Sequence, residues 1–371
     1  MKIGILTFHA SHNFGSMLQN YALQQFLIAE GHVVETINLR IKKQKYMYNH
    51  PLCIGKNNKT IRALLGRLKD PKWVLKESKG WYLFEQFLKK NIILTKEYHN
   101  WEEIERDLPK LKYDAIITGG DQIWNTFCYD FDWSYFLPGD VKPTKKISYS
   151  PSIGEHIKDT YEDKERTLKI KSLVQDFNFI SCRELDGCSF IESLTNKPCT
   201  VCADPTIIVE HEAFSKFIGN PIIPEPYIYY YTPPHVKDIK AEEIAKELAK
   251  KHGLKIVESF ASFRQNSGMT DIASGPKEFL NLLKNAEIVV GKSFHLVVFS
   301  ILFHKNFATI RDLNDPRVVT ISQLLNIKQR NIETADDFDL LNQIDYNEVD
   351  KEIFKLKESS IAYLRKALGS R

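Results

Sequence analysis

AEIVVGKSFHLVVFSILFHKNFATI, residues 286–310, decides the fold. Ile288, Val289 and Val290 predict a buried strand, rich in β-branched residues and stopped by Gly291. Lys292, Ser293, Phe294 and His295 turn the chain. Residues 296–303 read as a buried helix, and 307–310 as the next strand. Strand, helix and strand joined this closely predict a parallel α/β sheet, whose ligand sits outside the carboxyl ends of its strands. His295 therefore falls in the first turn of a helix at a ligand-bearing edge, with Lys292 and Ser293 beside it. A helix start favours an anion there.

The beginning of the chain repeats the arrangement. Residues 2–8 predict a strand, and HASHNFGS (9–16) a polar loop. Ser16 is expected to cap a helix over 17–30 that Gly31 ends, before a strand over 32–39. Asn13, Gly15 and the helix-start N–H groups offer a site of phosphate size. The same two residues would also serve simply to shape the turn. The loop lacks GxGxxG, so it carries no dinucleotide signature. A strand over 113–118 runs into Gly119-Gly120-Asp121-Gln122-Ile123-Trp124-Asn125. Paired glycines let a ligand approach the backbone, and Asp121, Gln122 and Asn125 add polar groups at that edge. A strand over 146–150, a helix over 160–176 and a strand over 179–182 come next. The last ends at Arg183, whose guanidinium suits a planar carboxylate or phosphate, or an ordinary ion pair. Asp204-Pro205-Thr206 reads as a cap or turn.

The 371 residues are enough for two domains. The expected divisions are 1–218, 219–345 and a closing helix over 346–371. A proline-bearing run over 219–234 would join the domains, with Tyr227 to Tyr231 as the second domain's first strand. The net charge of +4 is uneven: residues 40–112 carry +10 and the rest −6. This basic stretch, with Trp73, Trp81, Tyr82, Phe84, Phe87 and Trp101 interspersed, reads as a helical insertion over about 41–112. Helices are expected over 61–68 and 81–88. It is either a solvated insertion or a surface for anionic lipid or a phosphate-bearing acceptor. No nucleic-acid fold signature accompanies it. No apolar run is long enough to span a bilayer, and the start shows no signal-peptide layout, so a cytoplasmic location is expected, with peripheral membrane contact at most. Of six cysteines, Cys199 and Cys202 have CxxC spacing. They read as ordinary strand thiols rather than a redox pair, and no zinc-type pattern is present.

An ordered set of landmarks resembles the polysaccharide pyruvyl transferase family. They are Asn13-Phe14-Gly15 followed by Leu18 to Gln24; Gly120 to Asn125; Ser148 to Gly154; Ser181-Cys182-Arg183-Glu184; Ala203-Asp204-Pro205-Thr206; and Ser293-Phe294-His295 with Phe299-Ser300. The sequence departs from the family pattern at Gly119, Lys292 and Leu296. The resemblance implies two Rossmann-like domains facing a cleft, similar to the GT-B architecture. It also implies transfer of the pyruvyl group of phosphoenolpyruvate onto two sugar hydroxyls of a glycan as a cyclic ketal; no cofactor is expected, and the basic stretch adds the expectation of a lipid-linked sugar acceptor. His295 looks like the family's essential histidine and Arg183 like its cleft arginine.

Phosphoenolpyruvate carries two anionic groups. Arg183 would hold one, and Lys292 with the helix start at His295 the other. His295 would act as general acid or phosphate donor, and Asp121 as base. Asn13, Gly15, Gly120, Gln122, Asn125 and Ser293 would line the substrate, and no metal is expected. The rival readings are a nucleotide-sugar glycosyltransferase of GT-B type and a non-catalytic binding protein of the same fold.

Overall fold

The computed structural model describes residues 1–55, 59–67, 69–141, 144–233, 238–260, 268–311, 315–327 and 330–369. Pro234 of the proline-bearing run and Leu68, at the end of an expected helix, lie outside these. The first sheet is built from β1 (Lys2–Leu6), β2 (Val33–Leu39), β3 (Leu94–Tyr98), β4 (Ala115–Gly119) and β5 (Lys145–Tyr149). All pairings are parallel, in the order β3-β2-β1-β4-β5. Two short strands, β6 (Ser181–Cys182) and β7 (Thr200–Val201), pair beside it, and Phe179 bridges to Ile147 of β5.

The second sheet holds β8 (Tyr227–Tyr231), β9 (Lys255–Phe260), β10 (Thr270–Ala273), β11 (Ile288–Gly291), β12 (Asn306–Ile310) and β13 (Asn331–Ile332). It too is parallel, in the order β10-β9-β8-β11-β12-β13. Both sheets thus share one winding: the chain builds outward one way from the first strand, then returns to build the other way from the fourth. The reversal falls between β1 and β4, and between β8 and β11, and such switch points are where open α/β sheets hold ligands. The architecture is α/β with two Rossmann-like halves.

Several local expectations need correction. The helix expected over 17–30 is Phe14–Ala29, and its cap is Asn13 rather than Ser16. Asn13 Oδ1 accepts from the backbone N–H of Gly15 at 2.9 Å and of Ser16 at 3.4 Å. The 160–176 helix is two, Ile157–Glu162 and Lys164–Val174, because Asp163 turns out of the first to cap the second. The stretch 41–112 is not wholly an insertion. It contains helices Ile61–Arg67 and Pro71–Asn91, but its end supplies β3, the first sheet's edge strand, and helix Trp101–Leu111. Basic residues interrupt the apolar alternation there and hide the strand. Half of the six aromatics interspersed with its bases are core: Phe84, Phe87 and Trp101 are buried, Trp73 and Trp81 half-buried, and Tyr82 exposed.

The two halves do not stand apart across an open groove. One continuous core runs from Ile3 and Phe14 through Phe279 and Phe299. At its middle, the ring of Phe14 stacks on Phe279 with centroids 4.8 Å apart and lies 5.2 Å from Tyr231. The final helix, Tyr346–Leu368, crosses back to the first half. Ser360 Oγ accepts from Ala203 N–H at 2.9 Å, Tyr363 Oη donates to the Ser148 carbonyl at 2.8 Å, and Arg365 pairs with Glu30 through two bonds of 2.8 and 2.9 Å.

Candidate active site

Beside that seam, the loops after β1, β4 and β11 converge. They enclose a cavity of about 680 Å³ lined from the first half by Asn13, Asp121, Gln122 and Asn125, and from the second by Lys292, Ser293 and Arg317. Tyr48 and Trp81 of the basic stretch close another side. Gly15, Gly120, Arg183 and His295, expected on the site, are not among the lining residues but stand one layer back: the two glycines adjoin lining residues in the chain, Arg183 donates to the Gly120 carbonyl, and His295 abuts Gly15.

The loops after β4 and β11 start in the same way. A Cβ on Gly119 would lie 1.8 Å from the Tyr149 carbonyl oxygen, and a Cβ on Gly291 would lie 1.8 Å from that of Tyr231. In each case the next residue's N–H bonds that carbonyl at 2.9 Å: Gly120 to Tyr149, Lys292 to Tyr231. Only glycine fits against the neighbouring strand so closely. Gly120 has φ +81°, in the left-handed region that favours glycine.

Beyond Gly291, the helix Phe294–Leu302 starts at once and puts His295 in its first turn. The imidazole reaches across to the first half: a Cβ on Gly15 would fall 1.9 Å from His295 Nδ1. Gly15 is thus the notch that admits the histidine.

Arg183 follows β6, and Asp204 follows β7. Both are buried, and Arg183 Nη2 lies 2.6 Å from Asp204 Oδ2 and 2.5 Å from the Gly120 carbonyl it donates to. His295 Nε2 lies 3.4 Å from the same Asp204 oxygen. One carboxylate thus holds both residues that the sequence singled out. Burial alone would raise the Asp204 carboxyl, but the charges of Arg183 and His295 overcome it and hold it down to about 2. Asp204 Oδ1 is used separately, accepting from Thr206 N–H at 2.9 Å and Thr206 Oγ1 at 2.6 Å to cap the next helix. Arg183 Nε and Nη1 are buried donors with no protein acceptor. The Arg183 guanidinium lies 4.6 Å from the centre of the Phe294 ring, and that of Arg317 lies 5.6 Å from it. Two arginines and an aromatic ring fit planar anions well.

Arg317 was not singled out by the sequence. It starts the helix Pro316–Leu324 and is held by Asp315 through bonds of 2.9 and 2.6 Å. Asp315 repeats the device of Asp204: it precedes proline, caps a helix with Oδ1 and engages an arginine with Oδ2. The Asp-Pro pairs at 204–205 and 315–316 mark helix caps in the sequence, but Asp70-Pro71 does the same outside the cavity lining, so the pair alone does not point to the site. Glu184, bonded by Ser152, is buried, and burial pushes its carboxyl up. Asp121 Oδ1 accepts from Gln122 N–H at 2.7 Å, and its buried Oδ2 has no hydrogen-bond donor. The Gln122 amide lies between Asn125 and Arg317. Lys292 lies on the cavity, but its ammonium is 2.7 Å from Asp238, which Arg311 also approaches at 3.4 Å. Its charge is already balanced, unlike the free cation expected from the sequence.

Two parallel, equally wound halves with the site between them define a GT-B architecture. The S. aureus MnaA–UDP structure shares it at 11% identity, covering 100% of this chain and 91% of that one, with a TM-score of 0.50. The Arabidopsis thaliana UGT89C1 complex with UDP-L-rhamnose matches at 12% identity over 99% and 97% of the two chains, also with a TM-score of 0.50. At these identities the likeness concerns the fold alone. The family model for polysaccharide pyruvyl transferases matches residues 13–312, and the chain belongs to that family. No curated protein matches the sequence. No helix among the described residues is long and apolar enough to cross a membrane.

Proposed function

We propose that the chain transfers the pyruvyl group of phosphoenolpyruvate onto two hydroxyls of a glycan, releasing phosphate and leaving a cyclic ketal. The observation that carries this reading is the buried Arg183–Asp204–His295 cluster packed directly behind the loops that line the interdomain cavity. Arg183, with donors that have no protein acceptor, and Arg317, on the same Phe294 ring, would receive the carboxylate and phosphate. His295 would deliver a proton to the methylene carbon as a sugar oxygen attacks C2. Asp121 Oδ2 would take the proton of that hydroxyl. Phosphate leaves C2 with its bonding electrons, and the second hydroxyl adds at the same carbon to close the ring, its proton passing to His295, which has just given one up. The Asp204 carboxylate orients both His295 and Arg183, so it acts as a positioning residue.

Isothermal titration with phosphoenolpyruvate, beside UDP as control, tests the reading. Binding of phosphoenolpyruvate is expected, weakened at least tenfold in His295→Asn and in Arg183→Gln, with circular dichroism checking the fold. Binding of UDP alone would move the assignment to a nucleotide-sugar enzyme. Undiminished phosphoenolpyruvate binding in both variants would remove these residues from the site.

A further inference from the structure

Away from the cavity, three thiols meet. Cys182 ends β6, Cys188 lies in helix Leu185–Thr195, and Cys199 immediately precedes β7. Their sulfurs all lie within 4.8 Å of one another, and the Cys199 thiol donates to Cys188 Sγ at 2.9 Å. Cys202, the CxxC partner of Cys199 in sequence, is not in this group. A strand alternates its side chains, so residues at 199 and 202 face opposite ways.

Three converging thiols exceed what a disulfide uses. Metal–thiolate bonds of about 2.3 Å put sulfurs roughly 3.8–4.0 Å apart in tetrahedral or trigonal sites, within the span of this cluster after a small opening of the closest pair. Cys182 and Cys188 are buried in an apolar setting that includes Phe190 and Ile191, and Cys199 is part-exposed, which gives an entry path. The Cys199 backbone is fixed from outside: its N–H donates to Glu192 Oε1 at 2.9 Å. Among the described residues no fourth His, Cys, Asp or Glu joins the group.

We propose that Cys182, Cys188 and Cys199 form a three-thiolate site for one soft metal ion, of the class that accepts low-coordinate sulfur ligation, such as monovalent copper. Binding exchanges three S–H bonds for three metal–sulfur bonds, and the protons pass to solvent. The ion would tie β6, the adjoining helix and β7 together. Arg183 is the next residue after Cys182, and Asp204 follows β7 by three residues. The site would therefore stiffen the platform that carries the Arg183–Asp204 pair. It stands independently of the pyruvyl transfer reading.

The test is anaerobic titration of the reduced, full-length protein with cadmium(II), and separately with monovalent copper. A sulfur-to-metal charge-transfer band that saturates at one ion per chain is expected. So are a raised melting temperature and slower amide exchange over residues 181–204. Cys199→Ser, the part-exposed ligand and so the mildest change, should cut the band at least tenfold, whereas Cys53→Ser should leave it intact. Absence of a band with both metals, or Cys199→Ser binding as tightly as the parent, would overturn the site. So would a Cys188–Cys199 disulfide in protein kept under reductant.

Discussion

The loops after β4 and β11 begin alike and end differently. Each leaves its strand through a glycine pressed against a tyrosine carbonyl, and each bonds that carbonyl with the next N–H. After Gly119 the chain stays irregular through Asp121, Gln122 and Asn125, giving side chains that line the cavity. After Gly291 it coils at once into a helix, which fixes His295 in the first turn. One half thus supplies adaptable polar contacts, and the other a rigidly mounted titratable ring. The backbone device is shared because the sheets share a winding. The chemistry diverges because the residues beyond each glycine are different: polar and irregular in one loop, helical in the other.

The most severe challenge to this equivalence is Gly119→Ala beside Gly291→Ala. Each should lose about 3 kcal/mol or more in urea unfolding, because a Cβ has nowhere to go against a strand backbone. If one is tolerated, the two pivots are not the same device. A second difference is acid sensitivity. His9, just beyond β1, is buried, and burial together with nearby Arg40 lowers it to about 4 despite its bond to Asn38. Thr232, just beyond β8, cannot titrate. The unfolded chain protonates this histidine near 6.5, before the folded one does. The stability from keeping it neutral is therefore complete above about 6.5 and lost as pH falls towards 4, by at most about 3 kcal/mol. Urea unfolding at pH 7 and pH 5 should show this loss, and His9→Gln should reduce it. An unchanged pH dependence would place the acid-sensitive group elsewhere. The mildest expected effect is at Lys292. Lys292→Met leaves Asp238 with Arg311, so about 0.5–1 kcal/mol of stability is expected to go. The affinity for phosphoenolpyruvate should change less than twofold. A tenfold loss would mean that the loop after β11 contributes charge to the ligand after all.

Much of the fold is legible in the sequence because its strands are short, apolar and punctuated. Tyr227–Tyr231 matches the expected strand residue for residue, and Asn306–Ile310 differs by one. Leu94–Tyr98 escapes notice because an edge strand needs only one neighbour and tolerates Lys96 and Glu97. The helix start at Phe14 escapes because Asn13 and Ser16 are equally good caps locally, and only the loop's length in space chooses between them. His295, Arg183 and Asp121 stand out because strand ends with polar residues are visible along the chain. Asp204 reads only as a cap or a landmark, and Arg317 not at all, because what they meet in the site is far away in sequence: Asp204 meets Arg183 across 21 residues and His295 across 91, and Arg317 reaches Phe294 and Gln122. An Asp-Pro pair looks like a cap from the sequence, which it is, and its second oxygen is informative only once the chain has folded.

The last helix has a consequence for the order of manufacture. Ala203 N–H, next to Asp204, is bonded by Ser360, and the carbonyl of Ser148 by Tyr363. A ribosome makes the first sheet before the second, yet these groups gain their partners only once residues 360–363, made after the second sheet, have cleared the exit tunnel. The half made first is thus completed by residues made after the other half, so Ala203 and Ser148 cannot reach their final bonding on the first half alone.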